Sequence, residues 1–191
     1  MSSRPYETEA DAAWKWWSSL RPDEMNGRRG DRATLARLRR ASNILDAAAE
    51  PAVGDLFRKL GFDRAFAARD LPRAALIAAT LALIKSDALK DPRTGHKITL
   101  ARAIGTPRGG AETTELVTPL RLKRLVAARE PDDLLPAFRR VIAILGQTAN
   151  VKDVARQLLL WTDDRHADRA RTIFSFDYHD AAGAAPNLDA H

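Results

Sequence analysis

Hydrophobic residues recur along most of the chain at spacings of three and four, the period of an amphipathic α-helix. No stretch shows the sustained alternation of apolar and polar residues that indicates a β-strand, and β-branched residues are sparse. The sequence therefore predicts an all-α protein. The predicted helices cover residues 7–20, 31–42, 51–60, 71–89, 100–104, 118–128, 131–146, 150–161 and 164–178.

Residues with a preference for helix ends mark several of these boundaries. Asp31 and Asn150 are expected to be N-caps, whose side chains accept hydrogen bonds from first-turn amides. Thr118 and Pro119 open another helix, and Gly146 ends the one that follows it. The helix at 71–89 is the most apolar and carries few charges, so we expect it to be the buried centre of the fold.

A segment rich in glycine, proline and threonine, residues 93–117, separates the helices into two groups. It contains a single short helical stretch at 100–104. We therefore expect two small helical bundles, residues 1–92 and 118–180, joined by this connection. Residues 181–191, with their alanine, glycine and proline, are expected to form a disordered tail.

Composition excludes several classes of function. The chain has no cysteine, which rules out thiolate catalysis, disulfides and cysteine-ligated zinc. Its longest apolar stretch, residues 74–84, is too short to span a bilayer, and its amino terminus does not resemble a secretory signal. The glycine-rich residues 105–110 lack the lysine and Ser/Thr of a phosphate-binding P-loop. We expect a cytoplasmic protein without a cofactor or membrane contact.

The charge of the chain favours an anionic partner, because the net charge is +6 and the isoelectric point is near 10.0. Arginine is concentrated at residues 28–40 and 93–140. Helical spacing places leucines opposite these cations, and guanidinium groups bind phosphate oxygens bidentately. The pattern favours nucleic-acid backbone; a merely solvated or salt-bridged surface is the alternative. The candidate binding residues are Arg32, Arg37, Arg39, Arg40, Arg102, Arg121, Lys123, Arg124, Arg139 and Arg140.

Two other clusters have structural explanations. Trp14, Trp16 and Trp17 are expected to be core anchors, with a base-stacking platform as the alternative. Asp164, His166 and Asp168 do not form a metal site by their spacing, because helical residues two apart point to different sides. Acidic residues in a first turn commonly cap a helix or interact with its dipole. We therefore expect no metal and no catalytic residue.

Short segments in a fixed order carry a resemblance to a known family. Residues 30–41, GDRATLARLRRA, are followed by LARAI at 100–104, RLKRL at 121–125 and FRRVI at 138–142. A carboxy-terminal helix pair completes the series. Their order and spacing, together with the chain length, resemble the CasB family, the small subunit of the type I-E CRISPR surveillance complex Cascade.

This resemblance implies an all-helical, non-catalytic subunit, with two copies in each complex, that contacts the backbone and large subunits. Such a subunit stabilises the hybrid of crRNA and target DNA and the displaced strand of the R-loop. The nucleic-acid-contacting arginines of the family best match Arg40, Arg121 and Arg140, with Arg39, Arg102, Arg124 and Arg139 as neighbours.

Two rival functions remain open from the sequence. A stand-alone helical DNA-binding regulator with a helix-turn-helix would need a tight turn, and residues 21–30 are too long for one. A helical hydrolase would use the acidic cluster at 163–168. Base-specific DNA binding would favour the first rival, and metal-dependent turnover of a nucleic acid would favour the second.

Overall fold

A computed structural model describes residues 5–90, 95–107 and 115–183. Helices dominate these residues and no strand is formed among them, so the prediction of an all-α fold is confirmed. A short 3-10 helix, Arg64–Phe66, precedes the fifth α-helix. The α-helices are α1 Glu7–Ser19, α2 Arg32–Arg40, α3 Ile44–Ala48, α4 Pro51–Lys59, α5 Ala67–Leu81, α6 Leu100–Gly105, α7 Pro119–Ala127, α8 Pro131–Ile144, α9 Val151–Trp161 and α10 Ala167–Gly183.

The predicted caps form because they satisfy amides that a first helical turn leaves without partners. The Asp31 carboxylate accepts from the backbone N–H of Thr34 at 2.8 Å. The Asn150 side chain accepts from the backbone N–H of Asp153 at 3.3 Å. Gly146 has a φ of 67°, the left-handed conformation that ends a helix. These local predictions are confirmed.

Helix ends that depend on distant contacts differ from the prediction. The predicted helix at 71–89 is α5, which starts earlier and stops at Leu81. The chain beyond it is drawn into pairing with the segment after α8, where the Lys85 N–H donates to the Gln147 carbonyl at 2.7 Å. The five-residue helix α3 was not predicted, although Asn43 caps it as a side-chain acceptor.

The last helix begins later and ends later than predicted. Asp163 organises a turn before it, accepting backbone N–H bonds from His166 and Ala167, so α10 starts at Ala167 rather than at 164. The helix then continues to Gly183, and Ala181 is buried. Residues 181–183 are therefore helical where a disordered tail was expected, and residues 184–191 lie outside the described residues.

Helix α5 is the buried centre of the fold, as its apolar sequence predicted. Residues 74–81 are all buried, and the helix packs against α3, α4, α8 and α9. Helix α1 also packs against α9, so helices from both predicted bundles share one hydrophobic core. The division into bundles at 1–92 and 118–180 stays a prediction. No helix in the described part of the chain has the length and apolarity of a membrane span.

The tryptophan cluster contributes to this core. Trp16 and Trp17 are buried, and their indole N–H groups donate to backbone carbonyls at 3.0 and 3.3 Å. Trp14 is half-buried and donates to Asp87 Oδ2 at 2.9 Å. The ammonium of Lys152 lies 5.4 Å from the centroid of the Trp14 ring. Packing therefore accounts for all three residues, and the base-stacking alternative gains no support.

Candidate nucleic-acid interface

Helices α7 and α8 each bury one face and turn arginines outward. Leu122 and Leu125 of α7 are buried, which leaves Arg121 and Arg124 on the exposed side. The buried face of α8 includes Phe138 and Val141, and Arg140 is exposed. The side chain of Thr118 starts α7 by accepting from the Arg121 backbone N–H at 3.4 Å.

A groove runs between these two helices, and we call it the α7–α8 groove. Its volume is about 770 Å³. Arg121 and Arg124 line it from α7, and Arg140 lines it from α8. The remaining lining is mainly aliphatic, and Asp133 is its acidic member. The aliphatic residues are Val117, Leu125, Ala127, Ala128, Pro136, Ala137, Val141, Ala143 and Ile144.

The three groove arginines are unpaired cations. All are exposed, and within the described residues their guanidinium groups make no hydrogen bond or ion pair. A guanidinium group has five N–H donors and keeps its charge at physiological pH. The groove therefore offers three free donors of phosphate-binding type from two helices. Packing brings together Arg121 and Arg140, which the sequence analysis could place only on separate helices.

Three other candidates are also exposed and without side-chain partners in the described part of the chain: Arg32, Arg40 and Lys123. Arg40 is the last residue of α2, directly before Ala41. The Ala41 carbonyl accepts from Arg139 of α8, so the end of α2 is held against α8. Arg40 is thus carried towards the helix that presents Arg140.

Two candidates have their guanidinium groups occupied by the fold. Arg139 is half-buried, and its Nη1 and Nη2 donate to the carbonyls of Ala41 at 2.7 Å and Leu38 at 3.1 Å. Burial lowers the pKa of Arg139. The Nε of Arg39 donates to the Ala82 carbonyl at 2.6 Å. Both contacts anchor α2, so a role in binding nucleic acid for these two arginines stays a prediction.

Two further candidates form exposed ion pairs. Arg37 Nε lies 2.8 Å from a carboxylate oxygen of Glu50, and Arg102 Nη1 lies 2.7 Å from one of Asp180. Exposed pairs of this kind contribute little to stability, so a phosphate could replace the carboxylate at small cost. Each pair nevertheless reduces the local positive charge, which makes these arginines weaker candidates than the three in the groove.

The aliphatic lining of the groove was missed by the sequence analysis. Ala137 and Ala143 are half-buried and exposed, respectively, on the arginine-bearing helix α8. Apolar residues off the core face of an amphipathic helix are the signal that could have revealed it. The depth of the groove, however, depends on how α7 packs beside α8, which periodicity does not specify.

The acidic cluster before α10 is occupied by structural contacts. Asp163 accepts from the Tyr6 hydroxyl and lies 2.8 Å from His166 Nδ1, while Asp168 pairs with Arg129. Burial acts to raise the pKa of Asp163, but hydrogen bonds with Tyr6, His166 and a backbone amide outweigh it and lower the pKa to about 2. Among the described residues no group of three or more His, Asp or Glu side chains is placed to hold a metal ion.

Comparison with known proteins identifies the family. The model of the family described as CRISPR-associated protein Cse2 matches residues 34–179, which hold the α7–α8 groove and nine of the ten candidates. The chain belongs to the Cse2 family. This family is also called CasB, so the resemblance found in the sequence is confirmed.

A solved structure has the same fold as this Cse2-family chain. It is a chain of the crystal structure of E. coli Cascade bound to a PAM-containing dsDNA target, with a TM-score of 0.58 and 20% sequence identity. The likeness covers 90% of this chain and 97% of that chain. At this identity the comparison shows the fold alone. No match was found among the curated proteins.

Proposed function

We propose that this chain is a non-catalytic subunit of a type I-E Cascade complex that binds nucleic-acid backbone without reading its sequence. The observation that carries the proposal is the convergence of Arg121, Arg124 and Arg140 on the α7–α8 groove as unpaired cations. Membership of the Cse2 family and the fold shared with a chain of DNA-bound Cascade support its place in such a complex.

The chemistry of the groove favours phosphate over base edges. Guanidinium groups pair bidentately with phosphate oxygens, and such contacts position a strand without reading its sequence. The groove lining contains no asparagine or glutamine, the side chains that pair bidentately with adenine. In a complex guided by RNA, base pairing between crRNA and target supplies the specificity, and protein supplies cationic walls.

The partners that follow from this proposal are crRNA, target DNA and the displaced strand, together with the backbone and large subunits of the complex. A second copy of the chain belongs to the same arrangement. In the complex the subunit would stabilise the hybrid of crRNA and target and the displaced strand of the R-loop. The contact between Arg139 and Ala41 supports a surface that extends from the groove towards Arg40.

The salt dependence of binding tests the groove assignment. In fluorescence anisotropy with a labelled single strand, the full chain carrying Arg121→Ala, Arg124→Ala and Arg140→Ala should bind at least tenfold more weakly at low salt. The slope of log K against log salt concentration should fall by about 2, because each lost phosphate contact on a single strand removes about 0.7. The helical circular dichroism spectrum should be unchanged.

A matched control removes the same charge from another surface. Arg58, Lys59 and Arg64 are exposed on α4 and the 3-10 helix, outside the groove. Alanine at these three positions should leave most of the affinity and the salt slope intact. Equal losses in the two triple variants would mean that net charge alone drives binding, and the groove assignment would then be wrong. A preference for one DNA sequence over excess bulk DNA would instead favour the stand-alone regulator.

A further inference from the structure

The α7–α8 groove has a second property besides its charge, which is an aliphatic floor open to solvent. Ala127 and Ala143 are exposed, and Ala137 and Ile144 are half-buried. Apolar surface in contact with water costs free energy that an apolar partner would recover. A ligand made only of phosphates would leave this floor uncovered, so charge alone does not account for the whole groove.

The cations stand on both walls of this floor. Arg121 and Arg124 rise from α7 and Arg140 rises from α8, and the aliphatic residues lie between them. Outside the groove, Leu120 is 60% exposed and shares a helix face with Arg124 one turn away, so apolar surface continues beyond the cationic wall. The complementary ligand combines negative charge with flat, weakly polar faces.

Single-stranded nucleic acid has this combination, whereas a duplex does not present it. In a duplex the base faces are stacked inside the helix and the phosphates lie outside, so the floor would stay exposed. An unstacked base in a single strand exposes its face to a protein surface. The volume of about 770 Å³ accommodates a base between the two walls.

The acidic residue of the groove gives the site a direction. Asp133 lies in the first turn of α8, and Arg140 lies two turns further along the same helix. A phosphate is repelled near Asp133 and attracted near Arg140, so the backbone should follow the arginine-bearing part of the groove. The part nearer Asp133 is left for the base or the sugar.

We infer that the α7–α8 groove takes single-stranded nucleic acid, with an unstacked base on its aliphatic floor and the flanking phosphates on Arg121, Arg124 and Arg140. This inference rests on the proposed function and deepens it, since it selects an unpaired strand over a duplex. It assigns the floor to base contact without sequence reading, because the aliphatic groups cannot form base-specific hydrogen bonds.

The contribution of the base is measured by comparing three labelled oligonucleotides of equal length with the full chain. They are a normal single strand, a strand of abasic sites with the same phosphates, and a duplex. The normal strand should bind about fivefold more tightly than the abasic strand, the gain that burial of some 40 Å² of apolar surface supplies. It should also bind more tightly than the duplex.

A variant with a polar floor separates base contact from phosphate contact. Ala137→Gln together with Ala143→Gln places long uncharged polar side chains on the floor while Arg121, Arg124 and Arg140 remain. Affinity for the normal strand should fall to that for the abasic strand, and the salt slope should not change. The control is Ala65→Gln with Ala68→Gln, two exposed alanines elsewhere, and it should retain the fivefold difference.

The outcomes distinguish the inference from the proposed function. Equal affinity of the wild-type chain for normal and abasic strands, with a steep salt slope, would overturn base contact and leave backbone binding intact. Tighter binding of the duplex would overturn it as well. Absence of salt-dependent binding to any of the three would overturn both. If an amphipathic Leu/Glu peptide occupied the groove while normal and abasic strands competed with it equally, the groove would be a peptide-docking site and the inference would be wrong.

Discussion

At the scale of single residues, the arginines divide by what their guanidinium groups touch. Arg39 and Arg40 are neighbours in sequence, yet Arg39 donates to the Ala82 carbonyl and Arg40 is exposed without a partner in the described part of the chain. Helical spacing predicted that Arg121 and Arg124 share an exposed face, and both are exposed. Spacing assigns a face, but it does not identify a carbonyl that a long side chain can reach.

The carboxyl group of Asp163 gives a pH-dependent prediction at this scale. Its pKa in the folded protein is lowered to about 2 because hydrogen bonds from Tyr6 and His166 outweigh its burial. A carboxyl whose folded pKa lies below its unfolded pKa stabilises the fold above the unfolded value, near 4. That contribution, at most about 2 kcal/mol, is lost as the pH falls from 4 to 2.

Urea unfolding between pH 2 and 5 measures this effect. Asp163→Asn should lower the free energy of unfolding at pH 5 and make its decrease towards pH 2 shallower than in the wild-type chain. Asp164→Asn is the control, because Asp164 is exposed and lacks a printed side-chain bond to the folded chain. Equal pH dependence in wild type and Asp163→Asn would contradict the assigned pKa.

At the scale of elements, most helices were predicted because their determinants are local. Apolar periodicity, N-caps and a C-terminal glycine act over about one to four turns, and α1, α2, α4, α7, α8 and α9 lie close to their predicted positions. The short α3 has too few residues to show a period. The end of α5 depends on pairing with Gln147, which is distant in sequence, so the local pattern overestimated its length.

Arg139 carries a prediction about how α2 is attached to α8. Its guanidinium group donates to two carbonyls at the end of α2, those of Leu38 and Ala41. Arg139→Ala leaves both acceptors without these donors, and we expect a loss of about 2 kcal/mol in the free energy of unfolding. Chemical denaturation followed by circular dichroism measures the loss.

The neighbouring arginine supplies the control for this anchoring role. Arg140 is exposed and unpaired in the described part of the chain, so Arg140→Ala should change stability by less than about 0.5 kcal/mol. The same substitution should weaken binding to a single strand. Equal destabilisation by the two substitutions would argue against the anchoring role of Arg139.

At the scale of the whole molecule, contacts cross the connection between the predicted bundles. The carboxylate of Asp87 accepts from the Trp14 indole N–H of α1 and from the backbone N–H of Val151, the first residue of α9. The backbone N–H of Ile44 donates to Asp132 in the first turn of α8 at 2.8 Å. These bonds join helices from both halves around the core centred on α5.

Because the halves share one core, we expect a single cooperative unfolding transition. Tryptophan fluorescence reports on α1 and α9, where Trp16 and Trp161 are buried, and far-ultraviolet circular dichroism reports on all helices. The two signals should give the same urea midpoint. Separate midpoints would show that the bundles at 1–92 and 118–180 unfold independently, as autonomous domains do.

The sequence by itself determined the helical class, most helix boundaries and the family, because these depend on local periodicity, capping residues and motifs in a fixed order. The tertiary structure decided which arginines remain free. The carbonyl partner of Arg39 is 43 positions away, and those of Arg139 are 98 and 101 positions away. The aliphatic floor of the α7–α8 groove likewise exists only when two helices pack side by side, and packing between helices is a property of the folded chain.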